Sequence, residues 1–200
     1  MNLQEEIMKV CLKIAKRGEG AMILIGECEY KVLVEQNVSS FNVMKNPKLL
    51  ESLALMDGAV IINNRGDMKA YGAMIKVSKL SMIRNLGTRH NSAMAASMRK
   101  GNTIYVVSEE DNRVRVFRGG KMIMEIDSKT KEIEKKIPEM NKIMESLGWG
   151  TLGTFGAGVL APVIGITVIS GVTVFAVTSG LTYTIKKLKE WGVIKVGNIY

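Results

Sequence analysis

The feature that most restricts the fold is an uninterrupted run without charge, because residues 146–185 contain no Asp, Glu, Lys or Arg. Charged residues make up 24% of the whole chain, so a run of this length separates two regions of different character. Residues 1–147 mix charged and apolar positions in short alternating patterns, which is typical of a globular domain. The region that begins at residue 148 is instead rich in Gly, Thr and Val.

The uncharged segment 148–185 predicts attachment to a membrane. As a helix it would extend about 60 Å, roughly twice the hydrocarbon thickness of a bilayer. It therefore fits one long span after a glycine-rich lead, or two helices that turn near Pro162. The alternative is a buried β region, which its glycines and β-branched residues favour. The basic tail 186–200 and the lysines before the segment place the globular part at the cytoplasmic face of the cell membrane.

The first 147 residues predict an α/β (α+β) domain with a mixed central β-sheet surrounded by helices. Residues 1–17 form an amphipathic helix that Gly18 ends. A hairpin is predicted around Asn64-Arg65-Gly66-Asp67, because two apolar runs flank this turn sequence. Further helices are predicted over 91–100 and 128–147, and further strands over 21–27, 102–108, 113–117 and 121–126. The domain is assigned to residues 18–147.

The charge of the chain indicates an anionic partner. Lys and Arg number 28 against 19 Asp and Glu, which gives a formal charge of +9. The basic residues are scattered and do not alternate with aromatic ones, so nucleic acid is not the expected partner. Cys11 and Cys28 match no metal-ligand spacing and are predicted to be reduced.

One short motif is suited to phosphate binding. Gly87-Thr88-Arg89-His90 precedes a helical pattern, and His90 is the single histidine of the chain. Free N–H groups at the start of a helix attract phosphate, and Arg89 would add a forked cationic contact. Four residues alone would equally fit an ordinary turn into a helix.

Two acidic motifs add the ligands of a metal–nucleotide site. Asp57-Gly58-Ala59 lies at the start of a predicted strand, and Ser108-Glu109-Glu110 follows a later strand. Carboxylates beside phosphate oxygens are the ligand set of Mg²⁺ or Mn²⁺. The small residues after Asp57 allow a ligand to approach the backbone closely. The spacing of the three motifs is compatible with neighbouring strand ends that form one cleft.

In this order and at these separations, the three motifs resemble the diadenylate cyclase (DAC) domain of prokaryotes. The resemblance covers roughly residues 18–125. It implies condensation of two ATP into cyclic di-3′,5′-AMP with release of two pyrophosphates. It also implies that two domains face each other, each holding one ATP, so the active state is a homo-oligomer with at least two subunits.

The resemblance assigns roles residue by residue. Asp57 would be the catalytic carboxylate that helps a divalent metal polarise the ribose 3′-hydroxyl, with Glu110 and Glu109 as further metal ligands for Mn²⁺ or Mg²⁺. The nucleotide-binding residues that it implies are Gly58, Ala59, Lys76, Thr88, Arg89, His90, Asn91 and Ser108. Lys76 would contact adenine through its backbone.

Two departures from the family pattern qualify these roles. Many members have a second arginine where this chain has Asn91, which replaces a guanidinium that binds phosphate by an amide. Lys79, Arg84 or Arg99 could supply the charge instead. Some members have a histidine metal ligand where this chain has Met56, which leaves the preferred metal open. The alternative function is therefore an impaired sensor that binds ATP or cyclic di-AMP without turnover.

Overall fold

The computed structural model describes residues 2–77, 87–146 and 166–167. The strands are β1 (Ala21–Ile25), β2 (Tyr30–Val32), β3 (Ala59–Ile62), β4 (Met68–Ile75), β5 (Thr103–Val107), β6 (Arg113–Arg118), β7 (Lys121–Asp127) and β8 (Ile166–Thr167). The helices are α1 (Leu3–Lys16), α2 (Pro47–Ala54), α3 (Thr88–Ala96) and α4 (Ile137–Ser146), with a 3₁₀ turn at Ile133–Lys136 before α4.

The strands form one mixed sheet in the order β2-β4-β3-β1-β5-β6-β7-β8. Strands β1 and β3 are parallel, and every other neighbouring pair is antiparallel. The mixed sheet with surrounding helices is confirmed. The predicted hairpin is also confirmed, because β3 and β4 pair on either side of residues 63–67.

The two faces of the sheet are covered by different helices. On one face α1, α2 and α4 share a single apolar core with alternate residues of the strands, such as Ile23 and Tyr105. On the other face α3 packs Ala93 and Met94 against a smaller cluster that includes Val106 and Phe117. Since side chains alternate across a strand, the same strands supply both cores.

Helix α1 belongs to the larger of these cores. Ile7 and Ile14 are fully buried there, on the apolar face that the helical spacing predicts. Asn2 caps the helix by accepting a hydrogen bond from the backbone of Gln4, and Glu5 completes a capping box. The amphipathic helix predicted over 1–17 is therefore part of the body of the domain.

Two predicted helices differ from the structure. The helix predicted over 91–100 begins earlier, at Thr88, and ends at Ala96. The helix predicted over 128–147 is replaced by a turn, the 3₁₀ turn and α4, with Glu132 in a left-handed conformation. Pro138 lies in the first turn of α4, where its missing N–H would have no partner within the helix, so it is compatible with the start of α4 but not with the interior of one continuous helix.

The predicted membrane segment 148–185 and the tail 186–200 lie outside the described residues, apart from Ile166–Thr167. At these two residues the structure has a short edge strand, β8, paired with β7. Both residues are β-branched, which favours a strand at this position. Within residues 2–77 and 87–146, no helix is both long and apolar enough to cross a membrane.

Both cysteines are free thiols, as predicted. Burial raises the pKa of Cys11 far above its usual value. Burial also raises the pKa of Cys28 to about 11, although nearby Arg99 acts in the opposite direction. Both thiols are therefore protonated at neutral pH and pack as small apolar groups.

Candidate active site

The three sequence motifs meet at one end of the sheet. Asp57 and Gly58 come just before β3, Ser108 comes just after β5, and Gly20 comes just before β1. Because β1 runs parallel to β3 and antiparallel to β5, these positions share one end of three adjacent strands. Neighbouring strands lie about 4.8 Å apart, so β3 and β5 are about 10 Å apart with β1 between them. This end is called the motif end below.

Gly58 is held tightly against β4. Its φ is +101°, and a Cβ atom there would lie 2.7 Å from the backbone nitrogen of Ala73 and 2.8 Å from the carbonyl carbon of Gly72. A β-bulge interrupts the β3–β4 register beside it. The space that the missing side chain leaves is thus filled by β4, although the sequence predicts that it admits a ligand. Asp57 itself is exposed, and Ala59 is buried.

The N-terminus of α3 also lies at the motif end, as the contacts of Arg89 and His90 described below show. Gly87 is the N-cap, and no side chain caps this helix. The first helical hydrogen bonds are donated by His90 and Asn91 to the Gly87 carbonyl. The amides of Thr88 and Arg89 precede these bonds, so they are available to an anion. The predicted phosphate motif is therefore the first turn of a helix.

Arg89 reaches across to the start of β1. A Cβ atom on Gly20 would lie 2.6 Å from Nη1 of Arg89 and 3.3 Å from Oε2 of Glu109. The absence of a side chain at Gly20 therefore lets a cation of the α3 motif and a carboxylate of the β5 motif converge. Within the described residues Arg89 forms no ion pair at 4.0 Å or less, although the Glu109 carboxylate lies nearby.

His90 packs against β6. Nη1 of Arg115 donates to Nε2 of His90 at 3.2 Å, and the ring of Phe117 lies edge-on with centroids 6.3 Å apart. Burial, and after it the positive charge of Arg115, hold the pKa of His90 below its usual value. The ring is therefore neutral at physiological pH and fixed from two sides.

Arg115 is clamped by two carboxylates. Its Nε donates to Oε2 of Glu125 at 2.6 Å, and its Nη2 donates to Asp111. Arg113 donates to the other oxygen of Glu125 at 2.5 Å. Burial by itself would raise the pKa of Asp111, but hydrogen bonds from Arg115 and Ser108 hold it below the usual range. The four charged groups thus neutralise one another.

The remaining predicted residues occupy different environments. Ser108 is buried, with its hydroxyl bonded to Asp111, whereas Glu109 and Glu110 are exposed in the turn that follows. Asn91 is buried in α3. The backbone N–H of Lys76 donates to the Glu29 carbonyl at 2.8 Å, so an adenine contact there would have to use the Lys76 carbonyl oxygen.

The predicted metal ligands fit a cation that also binds phosphate. Asp57, Glu109 and Glu110 are exposed carboxylates at the motif end, and none has an ion pair within the described part of the chain. In that part, no three His, Cys, Asp or Glu side chains cluster as a complete metal site. Mg²⁺ is typically held by one or two carboxylates together with substrate phosphates, which is what these residues could provide.

Sequence reasoning missed Gly20, Asp111, Arg115 and Glu125. A signal for Arg115 was present, because the alternation in Arg113-Val114-Arg115 places both arginines on the face that α3 covers. The approach of α3 to β6 was not readable, because 25 residues separate His90 from Arg115 in the sequence.

Comparison with known families gives a match to most of the described domain. The sequence profile of the family described as DisA bacterial checkpoint controller nucleotide-binding (DAC) matches residues 8–122. A diadenylate cyclase of Haloferax volcanii is 27% identical over 139 residues, which cover 61% of this chain and 51% of that protein. The diadenylate cyclase CdaS of Bacillus thuringiensis is 30% identical over 112 residues, which cover 54% of this chain and 56% of that protein.

A solved structure has the same architecture. The crystal structure of a double mutant of DacA from Staphylococcus aureus superposes with a TM-score of 0.50 at 23% identity, and the match covers 77% of this chain and 96% of that chain. At this identity the similarity shows the architecture alone.

The DNA integrity scanning protein DisA of Corynebacterium efficiens is 25% identical over 137 residues, but the match covers 36% of its length. This chain spans about half or less of the length of the curated relatives named here.

Proposed function

Because this chain belongs to the DisA bacterial checkpoint controller nucleotide-binding (DAC) family, we propose that it is a diadenylate cyclase. It would condense two ATP into cyclic di-3′,5′-AMP and release two pyrophosphates. The observation that carries the proposal is the convergence of the three motifs at the motif end. Curated relatives named diadenylate cyclase support the same activity.

Phosphate binding is proposed for the first turn of α3. The amides of Thr88 and Arg89 and the positive end of the helix dipole would face the triphosphate. Arg89 is suited to add a charged contact, because it reaches the motif end over Gly20. His90 and Ser108 would contribute further hydrogen bonds, and Asn91 would stand where other members of the family have an arginine.

The chemical step is proposed for Asp57. In each half-reaction the ribose 3′-oxygen of one ATP forms a bond to the α-phosphorus of the other, and the bond to the pyrophosphate oxygen breaks. Asp57 would help a bound divalent metal to polarise the 3′-hydroxyl, whose proton leaves to solvent. A bound Mg²⁺ or Mn²⁺ supplies neutralisation of the charge on the phosphates, and Asp57 with Glu110 and Glu109 would hold it. Gly58 and Ala59 would line the nucleotide with their backbone, and Lys76 would accept from adenine.

Two assembly properties belong to the same proposal. Each domain would hold one ATP, so the 3′-hydroxyl meets its target only when two domains face each other as a homodimer or a larger homo-oligomer. Attachment to the cytoplasmic face of a membrane through residues 148–185 is supported by the absence of charge there, whereas the strand at Ile166–Thr167 favours the β alternative at those two residues. Release from membranes only by detergent would support attachment, and release by salt would contradict it.

The second candidate is a sensor that binds ATP or cyclic di-AMP without turnover. Asn91 favours this function, because it removes a guanidinium from the phosphate motif. The exposed Asp57 and the clustered acidic residues after β5 favour the cyclase.

The deciding experiment incubates the purified full chain with ATP and Mn²⁺ or Mg²⁺ and detects cyclic di-AMP by mass spectrometry. We expect product from the wild-type protein, with a rate per subunit that rises with protein concentration, and none from Asp57→Asn. Glu134→Gln is the matched control, because it neutralises an exposed carboxylate on the opposite face of the sheet. ATP binding without product under either metal would support the sensor and refute the cyclase.

A further inference from the structure

His90 has a neighbour that none of the sequence motifs contains. It lies in the first turn of α3, and its Nε2 accepts a hydrogen bond of 3.2 Å from Nη1 of Arg115 on β6. Phe117, two residues further along the same face of β6, contacts the ring edge-on. The imidazole is thus held by one strand while the backbone that carries it belongs to the phosphate motif.

We propose that Arg115 is a positioning residue that holds His90 as the neutral tautomer with its proton on Nδ1. The inference follows from donor chemistry, because a guanidinium carries only donors and stays protonated in proteins. An Nε2 atom that accepts from it must offer a lone pair. The single proton of the neutral ring therefore lies on Nδ1.

Arg115 is itself held in place for this task. Asp111 binds the Nη2 end, and Glu125 binds Nε at 2.6 Å. Only 9% of the Arg115 side chain is exposed, and Glu125 is 13% exposed. Charge-assisted hydrogen bonds of this kind fix both the position and the plane of a guanidinium. The Nη1 atom is consequently aimed at His90 by contacts on its other nitrogens.

The same contacts occupy most of the donors that Arg115 could offer to a phosphate. Its Nε donates to Glu125, its Nη1 to His90 and, at 3.3 Å, to Asp111, and its Nη2 to Asp111, which uses four of its five N–H groups. Two arginines, 113 and 115, face two carboxylates in this group, so it presents no net positive charge. What Arg115 can transmit to the motif end is the orientation and protonation of His90.

The other charged groups around His90 are consistent with a neutral ring. Arg89 and Arg115 oppose a positive charge on the imidazole, while Asp111 and Glu125 favour it, and burial has the largest effect. The positive end of the α3 dipole also disfavours an imidazolium in the first turn. On the proposed function, the Nδ1–H group is then the donor that His90 offers to the triphosphate.

The test uses the fact that His90 is the single histidine of the chain, so imidazole NMR signals need no assignment. Two-bond proton–nitrogen correlations of the ¹⁵N-labelled full chain without nucleotide distinguish the two neutral tautomers. We expect an excess of the Nδ1–H form of at least about tenfold, which corresponds to about 1.4 kcal/mol. A ring with its proton on Nε2, or a cationic ring at about pH 7.5, would overturn the inference without any variant being needed.

A pair of variants identifies Arg115 as the cause. Arg115→Met removes the donor, and we expect the tautomer excess to fall by about tenfold. Arg113→Met is the matched control, because it removes the same charge from the same face of β6 and also releases Glu125, yet it does not contact His90. The control should keep the wild-type tautomer. Equal tautomer ratios in the two variants would contradict a positioning role for Arg115.

The role of the His90 Nδ1–H group in ATP binding rests on the proposed function, so it is tested separately by enzyme kinetics. If the wild-type protein makes cyclic di-AMP, we expect Arg115→Met to raise KM for ATP at least about tenfold more than Arg113→Met does. Equal KM values would refute the role of Nδ1–H in ATP binding. The tautomer is measured without nucleotide, so its result holds even if the protein makes no product and the cyclase proposal fails.

Discussion

Replacing Gly58 by alanine tests whether a glycine is needed there for the packing of β3 against β4 or for the binding of a nucleotide. Its φ of +101° is one that side chains rarely adopt, and the added Cβ would lie 2.7 Å from the Ala73 nitrogen and 2.8 Å from the Gly72 carbonyl carbon. These are backbone atoms in the middle of a sheet, so they cannot rotate away as a side chain would. Alanine must therefore displace β4 or its own strand.

Two effects lower the free energy of unfolding in Gly58→Ala. A residue forced into a disfavoured backbone region costs about 1–3 kcal/mol. Crowding of a well-packed interior adds about 1–3 kcal/mol. Gly101 separates the two effects, because its φ is +98° and nothing lies within 4 Å of an added Cβ. Gly101→Ala should therefore show the backbone strain alone, and Gly58→Ala should exceed it by about 2 kcal/mol.

Thermal unfolding followed by circular dichroism measures the difference. For a chain of this size 2 kcal/mol corresponds to about 4–8 °C in Tm, so we expect Gly58→Ala to melt that much below Gly101→Ala. If the two variants melt within about 2 °C of each other, the close approach of β4 is not a real constraint. In that case the glycine would have to be explained by a bound nucleotide.

Two further predictions concern the motif end. Gly20→Ala should leave the unfolding free energy unchanged or raise it by up to about 1 kcal/mol. It should nevertheless weaken ATP binding by about tenfold or more, because the new Cβ displaces Arg89 and removes its proposed charged hydrogen bond to ATP. An unchanged ATP affinity in calorimetric titration would contradict this. His90 stays neutral when folded because burial and Arg115 lower its pKa, whereas the unfolded chain takes up a proton near pH 6.5. Stability should therefore fall as the pH drops below about 6.5 and stop falling below the folded pKa. Urea unfolding of wild type and His90→Gln at about pH 7.5 and about pH 5.5 checks this, and the same pH dependence in both would refute it.

Much of the fold could be predicted from short sequence patterns, namely apolar alternation and turn residues. The runs around residues 64–67 predict a hairpin because alternation and turn chemistry act over a few residues, and the structure has that hairpin. The motif residues Asp57 and Ser108 were placed at strand ends because the apolar runs stop or start beside them. These features need only short-range physics, which a single sequence contains.

The parts that were not readable depend on long-range packing. The start of α3 was predicted three residues late, because Thr88, Arg89 and His90 are polar and show no apolar periodicity. Gly20 gives no signal by itself, since its importance arises from the approach of Arg89 from a helix about 70 residues away. Arg115 reads as an ordinary charged strand residue until α3 is placed on the same face.

The distribution of charge at the motif end depends on Gly20 and Arg115, which the sequence did not reveal. Position 91 holds a buried amide and supplies no cation, and the guanidinium of Arg115 is neutralised by Asp111 and Glu125. Among the described residues that reach this end, Arg89 is the arginine without a carboxylate partner. On the proposed function, the described residues would therefore offer the triphosphate one arginine, Arg89, which extends past Gly20. Because a Cβ atom on Gly20 would lie 2.6 Å from Nη1 of Arg89, the absence of a side chain at position 20 would then determine whether this arginine can reach the nucleotide.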